Sequence, residues 1–532
     1  MEYQLVIGQL LRTGLTKAPA QRITYADQRE MTYAEMGQRV GRLGSALSEL
    51  GLGKGSVVAV MDYDSHRYLE AFFAIPMLGA TLHTINVRLS PDQILYTINH
   101  AEDDAILVHE DFLPLFLPLL PRISRKVRLV LLADRTASRP DGFAGEYEEL
   151  LAAADPGFAF PELAETTRAT LFYTTGTTGD PKGVTFTHRE LVLHTLGVIA
   201  NFAPVPGRGG VKADDVYMPL TPLFHVHGWG FPLVATMLGM RQIYPGRYEP
   251  AKILALIAKH DVTFSHCVPT ILAMLLGAPG TDQVDLSRWK VIIGGSALPE
   301  GLARAAMARG IDVHSGYGMS ETCPILTVAD MEATQGATGD TTAVRIATGK
   351  AAPLVQIRIV DPVMRDLPHD GVATGEVVVR APWLTQGYLR NPAGTEALWK
   401  GGWLHTGDVG SMTADGTLRI SDRLKDVIKS GGEWISSLEL ESIVSAVPGV
   451  VEVAAVGMPD ARWGERPVVL VVAKAEVEAA ARAAVSAAID AGRLSKWAAP
   501  ERVITVESIP KTSVGKIDKK AIRASLAASS AG

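Results

Sequence analysis

Short apolar runs bounded by glycine, proline and polar residues alternate along this chain with longer segments in which apolar residues return every third or fourth position. Ser56-Val57-Val58-Ala59-Val60-Met61 reads as a buried strand, and residues 65–78 behind it read as a helix. Ala105-Ile106-Leu107-Val108 and Val291-Ile292-Ile293 repeat the strand signal. Strands alternating with helices predict βαβ units and parallel sheets. From 343 to 420 the pattern changes to short strands with turn signals: Ile357-Arg358-Ile359-Val360, Gly375-Glu376-Val377-Val378-Val379-Arg380 and Gly416-Thr417-Leu418-Arg419-Ile420. That change predicts a β-barrel-like subdomain. From Asp422 onward a piece of roughly 110 residues, a domain's worth, has its own alternation: a helix near 438–447, a strand near 451–457 and an Ala-rich helix near 476–491. The pattern therefore predicts an α/β protein: a large N-terminal domain of βαβ-type sheets carrying a β-barrel-like subdomain, then a small α+β C-terminal domain. No internal repeat or long low-complexity linker interrupts it.

Composition narrows the picture without redirecting it. The chain has 532 residues, 47% hydrophobic and 20% charged, which is the balance of an ordinary globular protein with several cores. Its net charge of −6 supplies no electrostatic reason to bind nucleic acid or an anionic membrane, so any basic site is local. The N-terminal residues 1–17 carry no secretory pattern, and no apolar run approaches the length of a membrane span, which points to a cytoplasmic protein. Cys267 and Cys323 are the only cysteines, too few for a disulfide framework or a cysteine zinc site.

The richest chemistry lies in Tyr173-Thr174-Thr175-Gly176-Thr177-Thr178-Gly179-Asp180-Pro181-Lys182-Gly183. Glycine lets the backbone approach an anion and aim N–H groups at it, threonine hydroxyls add donors, and lysine adds a mobile charge. The loop reads as a phosphate cradle, but the order Asp-Pro-Lys-Gly after Gly179 is not the ending of a Walker A loop. Further along stand Gly316-Tyr317-Gly318-Met319-Ser320-Glu321-Thr322, Trp403-Leu404-His405-Thr406-Gly407-Asp408, Asp422-Arg423-Leu424-Lys425-Asp426 running on to Ser430-Gly431-Gly432-Glu433-Trp434, and Pro510-Lys511-Thr512-Ser513-Val514-Gly515-Lys516.

These five stretches, in this order, resemble the motifs of the adenylate-forming superfamily: acyl-CoA synthetases, luciferase and peptide-synthetase adenylation domains. The resemblance runs from about residue 20 to about residue 520. Pro222-Leu223-Phe224-His225-Val226-His227-Gly228-Trp229 makes it most similar to bacterial fatty-acyl-CoA synthetases. It implies a two-step ligase using ATP, Mg²⁺ and CoA with a small-molecule carboxylic acid, without nucleic-acid partner or membrane span, and, since related synthetases are often homodimers, a homodimer.

The resemblance also assigns roles. Thr174 to Gly179 and Lys182 would hold the β- and γ-phosphates. Tyr317 would stack on adenine, Ser320 would meet the α-phosphate, and Glu321 would bind Mg²⁺; serine at 320 departs from the family's usual threonine but keeps the hydroxyl. Asp408 would accept both ribose hydroxyls, a task suited to two acceptor oxygens, and Arg423 would contact ribose and phosphate. Gly295 and Ser296 would flank the nucleotide, with Glu433 and Trp434 touching the adenylate. Lys516 would bridge the carboxylate and the α-phosphate during adenylation. His225 matches a histidine at the reacting carboxylate. Trp229 would line the acyl tunnel as its end or its gate, with Val268, Gly294, Gly318, Met319 and Cys323 as further walls. Gly431 and Gly432 would leave room for the pantetheine arm of CoA. Lys425 would be the hinge, dividing the chain into 1–424 and a mobile lid, 425–532.

His225-Val226-His227 carries a competing reading as a metal pair, disfavoured because alternate residues of a strand face opposite ways. Gly294-Gly295-Ser296-Ala297-Leu298 fails as a serine-hydrolase elbow for want of its second glycine. Three rivals to the CoA ligase remain: an adenylation enzyme loading a carrier protein, a luciferase-like oxygenase, and a catalytically dead binding protein. The acid expected is a short- to medium-chain fatty acid or a thioether acid such as methylthiopropionate, with long-chain or aryl acids as the alternative.

Overall fold

A computed structural model describes residues 3–135, 139–174, 180–206, 209–431, 433–473, 475–512 and 516–530, with the side chains of 434, 529 and 530 excepted. Two large sheets form the N-terminal part. The first has seven strands, ordered Phe143–Glu146, Arg128–Leu132, Ala105–His109, Val57–Met61, Thr81–Thr84, Arg168–Thr174 and Lys182–Thr187. All its pairings are parallel except the last. The second has nine strands and a parallel centre built from Arg22–Tyr25, Arg241–Tyr244, Val216–Pro219, Phe264–Cys267, Lys290–Ile293 and Asp312–Gly318.

Parallel strands are covered by helices on both faces, so they read as unbroken apolar runs. Val57–Met61 is buried at every position, and the helix His66–Met77 follows it, begun by the Ser65 hydroxyl accepting from the Tyr68 N–H. That βα unit, and the strands Ala105–His109 and Lys290–Ile293, lie where the apolar pattern predicted them.

The β-rich region differs from the expected barrel. Gln356–Val360, Gly375–Arg380, Leu404–Met412 and Leu418–Arg423 form an open antiparallel sheet of four strands in that order. Its first and last strands do not pair with each other among the described residues. Short alternating strands establish an antiparallel meander, but they do not specify whether it closes. Leu418 donates instead to Gly349 O, 2.8 Å away, which ties the sheet's edge to the nine-stranded sheet through the neighbouring strand Lys350–Ala351.

Beyond Arg423 a turn leads into a separate five-stranded sheet, whose long hairpin Val450–Asp460 and Gly464–Ala473 packs under the helices Ser437–Ser445, Glu478–Asp490 and Lys519–Ser530. No helix among the described residues is long and apolar enough to cross a membrane.

Candidate active site

Strand pairing brings together the two ends of the Thr- and Gly-rich stretch. Thr174 ends the strand Arg168–Thr174 and lies opposite Lys182, the first residue of Lys182–Thr187. Thr175, Gly176, Thr177, Thr178 and Gly179 lie outside the described residues. The Lys182 ammonium stands 4.8 Å over the Tyr388 ring, and the Tyr388 hydroxyl donates to Glu321 Oε1 at 2.7 Å. Burial and the Glu321 charge both raise the Tyr388 pKa, which keeps it a donor. Glu321 is itself buried, its backbone carbonyl accepting from the Thr385 N–H at 3.0 Å. No donor among the described residues pairs with its second oxygen, which suits an oxygen-seeking cation. Tyr388, which no sequence motif singled out, therefore joins the loop lysine to the carboxylate.

The Tyr317 side of the cleft is built from two sheets. Tyr317 is the next-to-last residue of its strand Asp312–Gly318, and its hydroxyl donates to Asp408 Oδ2, on the strand Leu404–Met412, at 2.7 Å. Asp408 lies directly opposite Arg423 across the antiparallel pair, so Arg423 Nε reaches Asp408 Oδ1 at 3.1 Å. Burial pushes the Asp408 carboxyl up, and Arg423 opposes that. Gly318 admits no side chain: a Cβ there would sit 1.7 Å from the Pro324 carbonyl. Ser320 opens the short helix Ser320–Thr322 and faces the same cleft.

Lys516 reaches this cleft from the C-terminal part. Its loop is closed by the Thr512 N–H donating to Lys516 O at 2.7 Å, and by the Lys516 N–H donating to Thr512 Oγ1 at 3.2 Å. The side chain lies over Gly295, whose φ of +80° and missing Cβ make the room: a Cβ there would be 3.1 Å from Lys516 Cε. Burial first, then Arg423, lower the Lys516 pKa to about 8, while Asp408 and Glu321 pull the other way. The neighbouring lysines differ, Lys511 pairing with Glu452 at 2.9 Å and Lys519 with Glu441 at 2.8 Å. Ser296, next to Gly295, is exposed at the rim.

The cleft is open to solvent, and its empty space, counted with that open part, is about 440 Å³. His225, Trp229, Gly294, Gly295, Tyr317, Gly318, Met319, Ser320 and Lys516 line it as expected, and Val226, Ile292, Gly316, Pro324, Ile325 and Val328 complete an apolar wall. Of those six, Gly316 and Val226 lie inside the quoted motifs and Ile292 in a predicted strand, none with a site role assigned, while Pro324, Ile325 and Val328 carried no sequence signal beyond being apolar. Val268 stands one layer out, with its Cγ1 3.1 Å from where a Gly295 Cβ would be. Cys323 is not a wall: it is fully buried, and burial raises its thiol pKa well above the usual value.

The segment Val226–Trp229 is not a strand, as the argument against a metal pair supposed. Val226, His227, Gly228, Trp229 and Gly230 all have positive φ, between 47° and 74°, forming one left-handed turn. For L-residues this costs about 1–2 kcal/mol each, so the surroundings must impose it. Thr84 Oγ1 donates to Phe224 O at 2.8 Å, Asp64 Oδ1 accepts from the Leu223 N–H at 2.8 Å, and His227 Nε2 bonds Thr170 Oγ1 at 2.7 Å. His227 thereby points into the core and His225 into the cleft. Burial and the nearby Lys516 charge lower the His225 pKa to about 3, so it is a neutral imidazole.

The remaining expected residues lie elsewhere in this arrangement. Gly431 is not in the cleft: a Cβ on it would strike the Trp497 ring at 2.7 Å. Gly432 and the Trp434 side chain lie outside the described residues, and Glu433 is exposed on the strand Glu433–Ile435. Lys425 sits in the turn after Arg423, where the Asp426 and Val427 N–H groups donate back to Arg423 O.

Comparison with known proteins agrees with this geometry. The AMP-binding enzyme family matches residues 11–389, and the AMP-binding enzyme C-terminal domain matches 439–516. A long-chain-fatty-acid–CoA ligase of Thermus thermophilus is 38% identical over 514 residues, spanning 95% of this chain and 92% of the relative. A 3-methylmercaptopropionyl-CoA ligase of Ruegeria pomeroyi is 38% identical over 504 residues, spanning 93% and 91%. Among solved structures, ATP-bound MatB from Rhodopseudomonas palustris superposes with a TM-score of 0.81 at 28% identity, covering 98% of this chain and 99% of that one.

Proposed function

Since the chain belongs to the AMP-binding enzyme family, we propose that it is an ATP-dependent acid–CoA ligase whose acid is a short- to medium-chain fatty acid or a methylthio acid of similar size. In the first step a carboxylate oxygen attacks the α-phosphorus of ATP, the bond to the β-phosphate bridging oxygen breaks, and pyrophosphate leaves. In the second, the CoA sulfur attacks the acyl carbonyl and AMP leaves with the electron pair of the broken C–O bond. The observation that carries the reading is Lys516, delivered by the C-terminal part onto Gly295 in a cleft that also holds Tyr317, Ser320 and His225.

The roles follow from this placement. Lys516 as an ammonium draws the carboxylate and the α-phosphate together. His225, neutral, offers the carboxylate a hydrogen bond without adding charge. Asp408, held by Tyr317 and Arg423, presents its oxygens to ribose hydroxyls. Thr174 and Lys182 bracket the loop that takes the outer phosphates. Glu321 would hold Mg²⁺ through the oxygen that Tyr388 leaves unengaged, and the ion would offset triphosphate charge. The Trp229 indole in the wall of the cleft favours the smaller acids.

AMP release measured with butyrate, 3-methylthiopropionate, octanoate, palmitate and benzoate tests this. Release should require both acid and CoA, and the first three acids should exceed palmitate and benzoate in kcat/KM. Acid-dependent oxygen uptake without CoA consumption would overturn the ligase reading; a preference for palmitate would overturn the substrate class alone.

A further inference from the structure

What stands behind Trp229 is unusual for an apolar cavity wall. His266, in the strand Phe264–Cys267, is fully buried, and its ring lies 5.2 Å from the Trp229 ring, tilted by 33°. It stacks on Phe231 at 4.8 Å and on Tyr217 at 5.8 Å. Both ring nitrogens are engaged. Thr221 Oγ1 lies 3.4 Å from the His266 carbonyl and 3.2 Å from Nδ1, and the Tyr217 hydroxyl lies 2.8 Å from Nε2. One hydroxyl thus pairs with each ring nitrogen and holds the imidazole in place. Burial keeps the ring neutral by lowering its pKa to about 3. Gly294, just past the neighbouring strand Lys290–Ile293, also meets the indole: a Cβ there would lie 3.0 Å from Trp229 Cη2 and 3.0 Å from Gly316 O. The indole is thus packed against an immobilised imidazole and bare backbone, on a turn whose left-handed backbone is itself pinned.

We propose that His266 is a positioning residue for acid selection: it holds Trp229 as a fixed floor of the acid cleft, so a side chain outside the cleft sets the longest acid accepted. The inference rests on the acid–CoA ligase reading. Deleting the imidazole leaves the indole a space to move into, and the cleft deepens without loss of any group that meets the acid.

The test compares kcat/KM for octanoate and butyrate in the wild type, His266→Ala, Tyr217→Phe, Trp229→Ala and the double variant His266→Ala/Trp229→Ala. His266→Ala should raise the octanoate-to-butyrate ratio about tenfold, the scale of a cavity change of a methylene or more. The change should lie mainly in the KM for octanoate. Tyr217→Phe removes only the hydroxyl bonded to Nε2, keeps the stacked ring, and should shift the ratio the same way by less. Trp229→Ala should raise it too, and adding His266→Ala should then change nothing further, because the histidine acts only through the indole. An unchanged ratio in folded His266→Ala, or an equal shift with and without Trp229, overturns the proposal. If His266→Ala does not fold, Tyr217→Phe decides: an unchanged ratio overturns it. Absence of acid- and CoA-dependent AMP release in the wild type would instead overturn the ligase reading.

Discussion

Lys516 shows what a buried cation costs and what that cost provides. A charged ammonium taken out of water and set near Arg423 is disfavoured, so its pKa falls to about 8 although Asp408 and Glu321 attract it. A lowered pKa means that the charged form is lost as pH rises through about 8, two to three units earlier than for an exposed lysine. If the ammonium is what draws carboxylate and α-phosphate together, kcat/KM for acyl-adenylate formation should be level below pH 8 and fall above it, roughly tenfold per unit. Thioester formation from supplied acyl-adenylate should lack that limb. Lys516→Ala should lose most adenylation and keep the second half-reaction. Lys516→Arg, charged at every pH, should be slower but should abolish the decline. A decline that persists in Lys516→Arg would assign the titration to another group. The histidines around the cleft do not contribute in this range, since burial lowers His225, His194, His227 and His266 to about 3 each.

Whole elements bring together what single residues cannot. The hairpin Arg168–Thr174 and Lys182–Thr187, the short helix Ser320–Thr322 and the segment around Tyr388 meet so that Lys182, Tyr388 and Glu321 form one connected line. Tyr388→Phe removes the hydroxyl that orients Glu321 and leaves the ring under Lys182. If Glu321 holds Mg²⁺, the Mg²⁺ concentration for half-maximal adenylation should rise about 10- to 100-fold, the usual cost of losing a partner that orients a metal ligand, with thermal stability nearly unchanged. An unaltered Mg²⁺ requirement would remove Tyr388 from the site. Tyr388 also marks what sequence reading reaches. Elements with one strong period were legible: Gly375–Arg380 lies as predicted, and Asp408 and Arg423, far apart in sequence, come from motif words placed on adjacent strands. Tyr388 belongs to no such word, and its partners are fixed only by the crossing of separate elements. The left-handed turn at Val226–Trp229 was illegible for another reason. No local rule puts a β-branched or indole-bearing residue at positive φ; contacts from Thr84, Asp64 and Thr170 impose it. The open sheet was mistaken for a barrel because closure depends on edges that the period of two does not record.

At the scale of the molecule, this structure holds the C-terminal part where Lys516 meets the cleft, and the contacts that hold it bracket Lys425. Asp422, buried on the last strand before the turn, accepts at 2.6 Å from both the N–H and the hydroxyl of Ser437, and the Ser436 hydroxyl donates to the Ser421 carbonyl. The helix Glu300–Ala308 meets the helix Ser437–Ser445 at Gly301, where a Cβ would stand 2.4 Å from the Ser445 carbonyl. If Lys425 is the pivot about which this part turns for the second half-reaction, every one of these contacts must break, and Gly431, now against Trp497, must be turned toward the cleft. Two substitutions should then fail in opposite ways. Proline at 425 fixes φ near −65° and removes an N–H, so Lys425→Pro should keep adenylation while thioester synthesis from acyl-adenylate falls by orders of magnitude. Asp422→Ala removes three hydrogen bonds to a charged acceptor, a local one from the Arg423 N–H and the two from Ser437, worth about 1.5–3 kcal/mol each. It should weaken the present arrangement, lowering adenylation at least tenfold and sparing the thioester step. Single-turnover measurement of the two half-reactions separates these outcomes. Parallel loss of both steps in both variants would mean that the contacts serve stability alone and that the C-terminal part does not turn at Lys425.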